Sequence, residues 1–331
     1  MSRTSRYAYI MAKVYGIVAR SFIGESYRDL LRLKSLAELS ERLFPGERAV
    51  STAEPLPIEL EARIVRASIE AMTSVLDMFP EPPPILVHVA RKLEYQNVKS
   101  VVRGIVHGRA EDIRIWDLGR YAGIRLGAGK DPEKALAGTP YSWLLPLIHT
   151  VPLAVLENRL DRDYYDRLLQ LARALPARDR VGVLRLANAE IALANVIWAL
   201  RLRFYFKLDA STSLGLLVGK ASSSVRAALA EAFEIPADSA EGWRKWRYGW
   251  LLEDQLVDSF VAPDPMRAEQ KASQALYVRA HQSLHQNPFT LGPLVAYFKL
   301  KEYEASLLGI AVEALHLSVP EQDVLDIVGI R

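Results

Sequence analysis

The sequence predicts an all-α protein composed of three similar helical units. Apolar side chains recur at helical spacing along the chain, and two short stretches are repeated with a constant offset. Residues that favour helices, among them Leu, Ala, Arg and Glu, are abundant. At 331 residues, the chain is long enough for two or three domains of ordinary size.

Apolar periodicity indicates the first helices. Steps of three and four residues place a set of side chains on one face of a helix, which then packs against a core. The stripe in the first segment consists of Leu30, Leu31, Leu33, Leu36, Leu39 and Leu43, and the stripe in the second consists of Ile58, Leu60, Ile64, Val65, Ala67, Ile69, Met72 and Leu76. Alternating, strand-like stretches bounded by turns are hard to find.

Proline and capping residues divide these helices. Pro45 ends one helix, and the proline-rich stretch at residues 80–84 ends another. Asp131 stands just before a proline and a glutamate, which is typical of a helix N-cap. Asp238 or Ser239 caps a later helix that carries a glutamate in its first turn.

Two pairs of similar stretches indicate an internal repeat. Residues 141–146 (YSWLLP) match residues 248–253 (YGWLLE), which lie 107 residues further along the chain. Residues 97–103 (NVKSVVR) match residues 195–201 (NVIWALR), which lie 98 residues further along. Each identity is low, so the offset between the two pairs is the stronger indication of a repeat.

That offset is constant. Tyr141 precedes Asn195 by 54 residues, and a step of 54 to 58 residues leads from Tyr248 to the stretch from Glu302 to Ser306. The sequence therefore predicts three units, each with a short Leu- or Trp-rich helix, a long helix and a helix with polar residues. The predicted units cover residues 1–117, 118–222 and 223–331.

Each unit contributes a helix on which charged or amide side chains stand among apolar ones. Two interpretations are open. Either each polar side chain hydrogen-bonds a neighbouring helix end and positions it, or the three helices line a shared central surface. The side chains are Glu94, Asn97, Lys99 and Arg103; Glu190, Asn195, Arg201 and Arg203; and Lys301, Glu302 and Glu304.

Four groups of residues carry a family resemblance. They are Tyr7-Ala8-Tyr9 with Ala12 to Gly16, Ser21-Phe22, Tyr27 and Leu30-Leu31; Glu94 to Arg103; Thr139-Pro140-Tyr141; and Tyr297 with Lys301 to Glu304. The first group resembles the start of the central-stalk C subunit (the d subunit in eukaryotes) of V-type and A-type rotary ATPases. The second resembles that family's helix of the pattern Asp-x-x-Asn-hydrophobic-Lys-x-x-hydrophobic-Arg.

The resemblance implies a funnel-shaped, all-helical protein of three domains with approximate threefold pseudo-symmetry. It implies a non-catalytic connector, present as one copy per complex, that sits on the membrane proteolipid ring and receives the central shaft. It implies no cofactor or metal, and a place at the cytoplasmic face of the membrane through the ring. The candidate shaft- or ring-contact residues are Lys99, Arg103, Arg201, Arg203, Lys301 and Glu302.

This sequence departs from the family pattern in two places. Residues 306–309 (SLLG) stand where the family usually has Asn-Leu-Arg, and Ala192 stands where the first unit has Glu94. A polar role shared by all three units is therefore weakened.

Composition and charge exclude several classes of protein. The chain has no cysteine, and therefore no disulfide and no thiolate metal site. Its 42 basic and 39 acidic residues give a net charge of +3, too even for a dedicated nucleic-acid or membrane-surface protein. We expect no signal peptide. The longest uncharged run, residues 135–156, is interrupted by prolines, which predicts buried helices joined by turns.

Two stretches resemble phosphate-binding loops. In residues 123–131, Ile124 stands where the first glycine is required, and Asp131 replaces the serine or threonine that would hold magnesium. Residues 219–221 fail likewise, because Leu214 stands at the first glycine position. We expect neither stretch to bind nucleotide.

Three further features have a functional and a structural interpretation. His281 and His285 are spaced to face one metal ion, but no third ligand is evident, and surface or capping roles are favoured. Residues 243–250 interleave basic and aromatic side chains as in single-strand binding. Their match to the first repeat favours packed aromatics, including Tyr248 and Trp250, with Arg244, Lys245 and Arg247 on the outer side.

Residues 161–166 form the densest carboxylate cluster and invite comparison with magnesium-dependent synthases. Only one copy is present and its spacing is wrong, which favours a solvated helix start. Two alternatives to the rotor connector stay open: a helical-repeat scaffold of another complex, and an all-helical synthase of this type.

Overall fold

The computed structural model describes residues 3–46, 55–125, 131–219, 222–257 and 259–329. These residues form α-helices, short 3₁₀ helices and turns, with no strand among them, so the all-α prediction is confirmed. The stretches that resemble phosphate loops lie partly outside the described residues, at 126–130 and 220–221.

Fifteen α-helices occur within the described residues. The first six are α1 (Arg3–Val18), α2 (Glu25–Leu31), α3 (Leu36–Leu43), α4 (Leu56–Leu76), α5 (Pro84–Ala90) and α6 (Lys92–His107). Then follow α7 (Pro132–Leu136), α8 (Leu153–Arg173), α9 (Ala177–Phe204) and α10 (Ala210–Gly215). The last five are α11 (Ser223–Glu234), α12 (Ala240–Lys245), α13 (Pro265–Leu284), α14 (Gly292–Leu317) and α15 (Glu321–Val328).

Capping residues begin several helices where the sequence predicts them. The Asp131 side chain accepts hydrogen bonds from two backbone N–H groups of α7, and the Ser239 side chain accepts one from α12. The first leucine stripe is not one helix, however. It is divided between α2 and α3, because Ser35 caps α3 by accepting a hydrogen bond from the Glu38 N–H.

Helices that follow one another along the chain pack together in pairs. Helix α4 packs on α5, α8 packs on α9, and α13 packs on α14. A proline stands at or just before the first residue of five of these helices: Pro55 before α4, Pro84 in α5, Pro152 before α8, Pro176 before α9 and Pro265 in α13. Proline is favoured there because the first N–H groups of a helix have no intrahelical partner.

The pairs contact one another in a closed order. Helices α5 and α6 both pack on α8, α9 packs on α13, and α14 returns to pack on α4. The last contact includes two long-range hydrogen bonds: the Tyr297 hydroxyl donates to the Ala71 carbonyl at 3.1 Å, and the Ser68 hydroxyl donates to the Lys301 carbonyl at 3.3 Å. The long helices therefore close on one another in a ring of contacts in which the two ends of the chain meet, and α14 also packs directly on α9 and α5.

Three apolar clusters form the core. The largest runs through α1, the C-terminal half of α4, α5, α6, α8, the first half of α9, the end of α13 and the start of α14. A second joins the end of α9 to α11, α12 and the start of α13. The third joins α2, α3 and the start of α4 to the end of α14 and α15. Burial of this apolar surface is the main force that holds the ring together.

Among the described residues, one helix is long and apolar enough to cross a membrane by length and composition. It is α9, and 67% of its apolar window is buried inside the protein, as in a core helix. The uncharged run at residues 135–156 forms the end of α7, a 3₁₀ helix at Ser142–Leu147 and the start of α8, joined by turns as predicted. Most of its residues are partly or fully exposed, so the prediction that these helices are buried is wrong.

Candidate functional site

Two matched asparagines hold the backbone in the same way. Asn97 on α6 donates from Nδ2 to the Trp116 carbonyl at 2.8 Å and accepts from the Trp116 N–H at 2.9 Å. Asn195 on α9 donates to the Val218 carbonyl at 2.9 Å and accepts from the Val218 N–H at 2.8 Å. Each asparagine fixes loop backbone further along the chain, and not the neighbouring helix end that the first interpretation specifies.

A third helix carries a related contact. Glu304 on α14 accepts a hydrogen bond from the Phe22 N–H at 2.8 Å, in the loop between α1 and α2. Glu94 also binds backbone, because its carboxylate accepts a hydrogen bond from the Gly123 N–H. The same carboxylate accepts a hydrogen bond from the Tyr141 side-chain hydroxyl. Helices α6, α9 and α14 therefore each position a neighbouring loop through a buried side chain.

We call Asn97, Asn195 and Glu304 the clamps, because each binds loop backbone. Three charged residues, each five positions before a clamp, form ion pairs with one another. They are Lys92 before Asn97, Glu190 before Asn195, and Lys299 before Glu304. The Lys92 Nζ lies 2.7 Å and the Lys299 Nζ lies 3.0 Å from Oε1 of Glu190. Because the same register position contributes from each helix, α6, α9 and α14 converge at this point.

Glu302 completes the cluster. Its carboxylate lies 3.0 Å from the Lys92 ammonium and 3.1 Å from the Lys299 ammonium. The four side chains carry two positive and two negative charges, and we call them the ion hub. Only 4% of the Glu190 surface is exposed. Burial acts to raise the pKa of Glu190, but the two ammonium groups outweigh burial and lower it.

Two cavities lie beside the ion hub. One, of about 480 Å³, is lined by residues of α4, α6, α13 and α14, and the other, of about 270 Å³, by residues of α6, α8, α9 and α13. Both are lined by Lys92, Ser273 and Leu276, so the two cavities are adjacent, and we call them together the hollow. All three polar helices therefore contribute to the walls of this hollow.

Side-chain ion pairs join the polar helices α6 and α9 to the next long helix along the chain. Arg103 lies 2.5 Å from Glu157 on α8, and Arg201 lies 2.5 Å from Glu269 on α13. Each arginine follows its asparagine by six residues, and each glutamate follows the first residue of its helix by four. Lys99 adds a second ion pair between α6 and α8, at 2.6 Å from Asp161.

The remaining predicted contact residues are also bound within the protein. Arg203 donates to the backbone carbonyls of Ala232 and Ile235. Lys301 pairs with Glu304, and Glu302 belongs to the ion hub. Arg201 and Glu302 also line the hollow. A role for all six residues in partner contact stays a prediction.

Among the described residues, no group of three or more histidine or carboxylate side chains could hold a metal ion. His285 stacks on Tyr15, with ring centroids 5.7 Å apart, and lies next to His281. In the carboxylate cluster, Asp161 pairs with Lys99, and Asp163 accepts a hydrogen bond from the Tyr95 hydroxyl at 2.6 Å. Both acids thus hold α8 against α6.

The basic and aromatic stretch at residues 243–250 packs largely as predicted. Trp243, Trp246 and Tyr248 are buried, and the three basic side chains of the stretch are exposed. The prediction that Trp250 is a core residue is wrong, because 38% of its surface is exposed. It lies in the 3₁₀ helix at Gly249–Leu252, where the following two leucines take the buried positions.

Comparison with known proteins decides the family. The sequence profile of the ATP synthase (C/AC39) subunit family matches residues 10–326, nearly the whole chain. The chain belongs to this family. The resemblance to the C subunit of V-type and A-type ATPases is therefore confirmed, and the family is one of non-catalytic ATPase subunits.

A relative of this family member occurs in Treponema pallidum (strain Nichols). It is an uncharacterized protein, 26% identical over 318 residues, which are 93% of this chain and 92% of that protein.

Sequence reasoning missed two members of the ion hub, Lys92 and Lys299. A search for the same residue type in the three units does not find them, because the equivalent position is a lysine in α6, a glutamate in α9 and a lysine in α14. The usable signal is the register: each of the three charges stands five residues before a polar side chain that binds backbone.

Proposed function

We propose that this chain is the rotor socket of a V/A-type rotary ATPase. It couples the central shaft to the membrane proteolipid ring, so that rotation links ATP hydrolysis or synthesis to ion translocation. The observation that carries the proposal is the pair of adjacent cavities, whose walls include the three polar helices of matching register, in a chain of this ATPase family.

The proposal includes three units, at residues 1–117, 118–222 and 223–331, with approximate threefold pseudo-symmetry in a funnel. Three local similarities support it. The two asparagine clamps have the same geometry, the two arginine pairs have the same register, and Tyr141 and Tyr248 both precede a 3₁₀ helix. The closed packing order of the helices also agrees with a ring of three units.

Transmission of torque requires a stiff socket. Contact with a shaft on several sides resists rotation of one part against the other, and broad interfaces combine an apolar centre with a polar rim. The ion pairs between α6 and α8 and between α9 and α13 oppose sliding of neighbouring helix pairs. The ion hub ties all three polar helices together beneath the shaft.

The partners in this proposal are the central shaft subunits and the membrane proteolipid ring, with one copy of the socket in each complex. Association with the membrane is peripheral, at its cytoplasmic face and through the ring. The proposed role requires no cofactor, no metal and no nucleic acid.

Reconstitution with the purified partners tests the proposal. The chain is mixed with the shaft subunits and, separately, with the detergent-solubilised ring encoded in the same genome. We expect co-migration with both on size exclusion. Absence of binding to either partner would contradict the socket role and leave a scaffold of another complex as the better hypothesis.

A further inference from the structure

Arginine is concentrated at the hairpin that joins α8 to α9. Residues 167–189 contain five arginines and a single acidic residue, Asp179, which give this stretch a charge of +4 within a chain of net charge +3. The near-neutral total charge of the chain therefore includes one strongly basic surface, which we call the arginine tip. Its five side chains are all exposed: Arg167, Arg173, Arg178, Arg180 and Arg185.

The arginine tip has few partners for its charges within the protein. Among the described residues, only Arg178 lies within ion-pair distance of a carboxylate, 3.9 Å from the buried Asp179. Arg167 and Arg185 donate hydrogen bonds to neutral glutamine side chains instead. Asp166, which is exposed just before the first of these arginines, pairs with none of them. The tip therefore presents positive charge to an anionic partner, unlike the ion-paired arginines of α6 and the end of α9.

An exposed apolar side chain lies among these arginines. Val181 follows Arg178 by three residues and precedes Arg185 by four, so the three side chains share one face of α9. Val181 is 61% exposed, whereas Val183 and Leu186 are buried on the other side of the helix. The outer face at the start of α9 thus combines two cations with an apolar side chain.

The loop between α13 and α14 extends this surface. Oδ1 of Asp179 accepts a hydrogen bond from the Leu291 N–H at 3.0 Å, and Arg185 donates to Oε1 of Gln286 at 3.1 Å. These two bonds hold the loop against the start of α9. Phe289 lies between the two bonded loop residues and is 46% exposed. The arginine tip therefore adjoins a second exposed apolar side chain.

Arginines beside exposed apolar side chains suit the surface of an anionic membrane. Each basic residue close to such a surface strengthens binding about fivefold, and apolar side chains beside it insert among the headgroups. The cavity beside Arg167 and Arg173 is lined by α8 alone, so a partner that contacts all five arginines must spread over both helix ends. Fluid headgroups do so without a matching shape, whereas an acidic protein needs carboxylates at fixed positions.

We propose that the arginine tip, with Val181 and Phe289, binds the headgroups of anionic phospholipids at a membrane surface. The arginines contact the phosphate groups, and the two apolar side chains enter the headgroup layer. This binding is independent of the socket function, because it uses the hairpin between α8 and α9 and not the hollow. Where both functions operate, the chain contacts lipid directly as well as the ring, and fluid headgroups allow it to rotate.

Sedimentation with lipid vesicles tests the proposal on the purified full chain alone, without shaft or ring. One set of vesicles contains phosphatidylcholine and phosphatidylserine, and the other contains phosphatidylcholine only. We expect binding to the anionic vesicles at low salt and loss of that binding in about 1 M salt, which screens the arginines. Absence of binding to the anionic vesicles, or equal binding to both sets, overturns the lipid assignment and leaves the socket function intact.

Paired substitutions locate the binding surface. Arg173→Gln with Arg180→Gln removes two exposed charges from the tip, and should weaken binding to the anionic vesicles about 25-fold, at about fivefold for each arginine. Arg226→Gln with Arg267→Gln is the matched control, because it removes two exposed arginines from α11 and α13, which pack at the other end of α9. The control should change binding less than about twofold. An equal loss in both variants overturns the assignment to the tip.

The apolar contribution has a test of its own. Phe289→Ser keeps every charge of the tip and should weaken binding to the anionic vesicles about fivefold, because a half-exposed aromatic ring no longer enters the headgroup layer. Val261→Ser, at an exposed valine of another loop, is the control and should have no effect. Unchanged binding by Phe289→Ser contradicts insertion at this loop.

Competition distinguishes lipid from an acidic protein. Polyglutamate is added to the vesicle-bound chain at the same concentration of negative charge as the phosphatidylserine. We expect most of the chain to stay on the vesicles, because polyglutamate offers no apolar layer to Val181 and Phe289. Complete displacement would show that the tip is a site for an acidic polypeptide, and would overturn the lipid assignment.

Discussion

The contact between α14 and α4 differs from the other two contacts of the ring. Between α6 and α8, and between α9 and α13, an arginine pairs with a glutamate at matching register. The corresponding positions between α14 and α4 are Ile310 and Leu60, and both belong to an apolar cluster. Two contacts thus combine packing with ion pairs, whereas the third depends on packing and hydrogen bonds.

Additional helices and polar interactions stabilise this third contact. Helices α2 and α3 pack on α14, and the Phe22 N–H donates to Glu304. Arg32 on the N-terminal side pairs with Glu321 of α15 at 3.3 Å. The comparison teaches that the ends of the chain need extra contacts to close the ring, because no covalent connection joins α14 to α4.

The largest effect is expected at the ion hub, where α6, α9 and α14 converge. Glu190→Leu leaves the buried ammonium of Lys299 with Glu302 alone, so the free energy of unfolding should fall by about 3–5 kcal/mol in urea titrations. The double variant Glu190→Leu with Lys299→Leu should cost less than the single one, because no uncompensated buried lysine remains. A loss below about 1 kcal/mol in the single variant would show that the hub does not tie the helices together.

The same variant has a pH dependence with a defined sign. The folded state lowers the pKa of Glu190 from 4.5. Its ionic contribution is therefore complete above about pH 4.5 and is lost as the pH falls through the folded pKa. The stability difference between wild type and Glu190→Leu should narrow in acid, as measured by urea unfolding at pH 7 and pH 3.

An intermediate effect is expected at the packed contact. Leu60 is fully buried, and Leu60→Ala should lower the free energy of unfolding by about 2–4 kcal/mol, because it leaves a cavity beside α14. Addition of 1 M salt should not change this cost. A cost that disappears in salt would show that α14 and α4 are held by charge, as at the other contacts.

The smallest effect is expected at the ion-paired contacts. Arg201→Met removes a pair whose side chains are 34% and 45% exposed, so the cost should be about 0.2–1 kcal/mol at low salt. It should fall further in 1 M salt, because exposed pairs are screened. Arg103→Met is the matched variant at the other ion-paired contact. If either arginine variant lowered the free energy of unfolding as much as Leu60→Ala does, the ion-paired contacts would not differ from the packed contact.

The sequence predicts the helices and several of their boundaries well. Apolar periodicity, Asp131 and Ser239 act locally, so their consequences can be read from neighbouring residues. The position of Trp250 could not be predicted, because its exposure depends on which residues of a short 3₁₀ helix face α13. The ion hub was missed because it joins residues up to 210 positions apart.

Closure of the ring by the two chain ends has a mechanical consequence. Consider a force that pulls neighbouring helices apart. At the contacts of α6 with α8 and of α9 with α13, both packing and the covalent chain resist this force, because residues 108–152 connect α6 to α8 and residues 205–264 connect α9 to α13. At α14 and α4, side-chain contacts and hydrogen bonds carry it alone. Under increasing tension the ring should therefore part first at this contact, and the N-terminal helices would set the force it withstands.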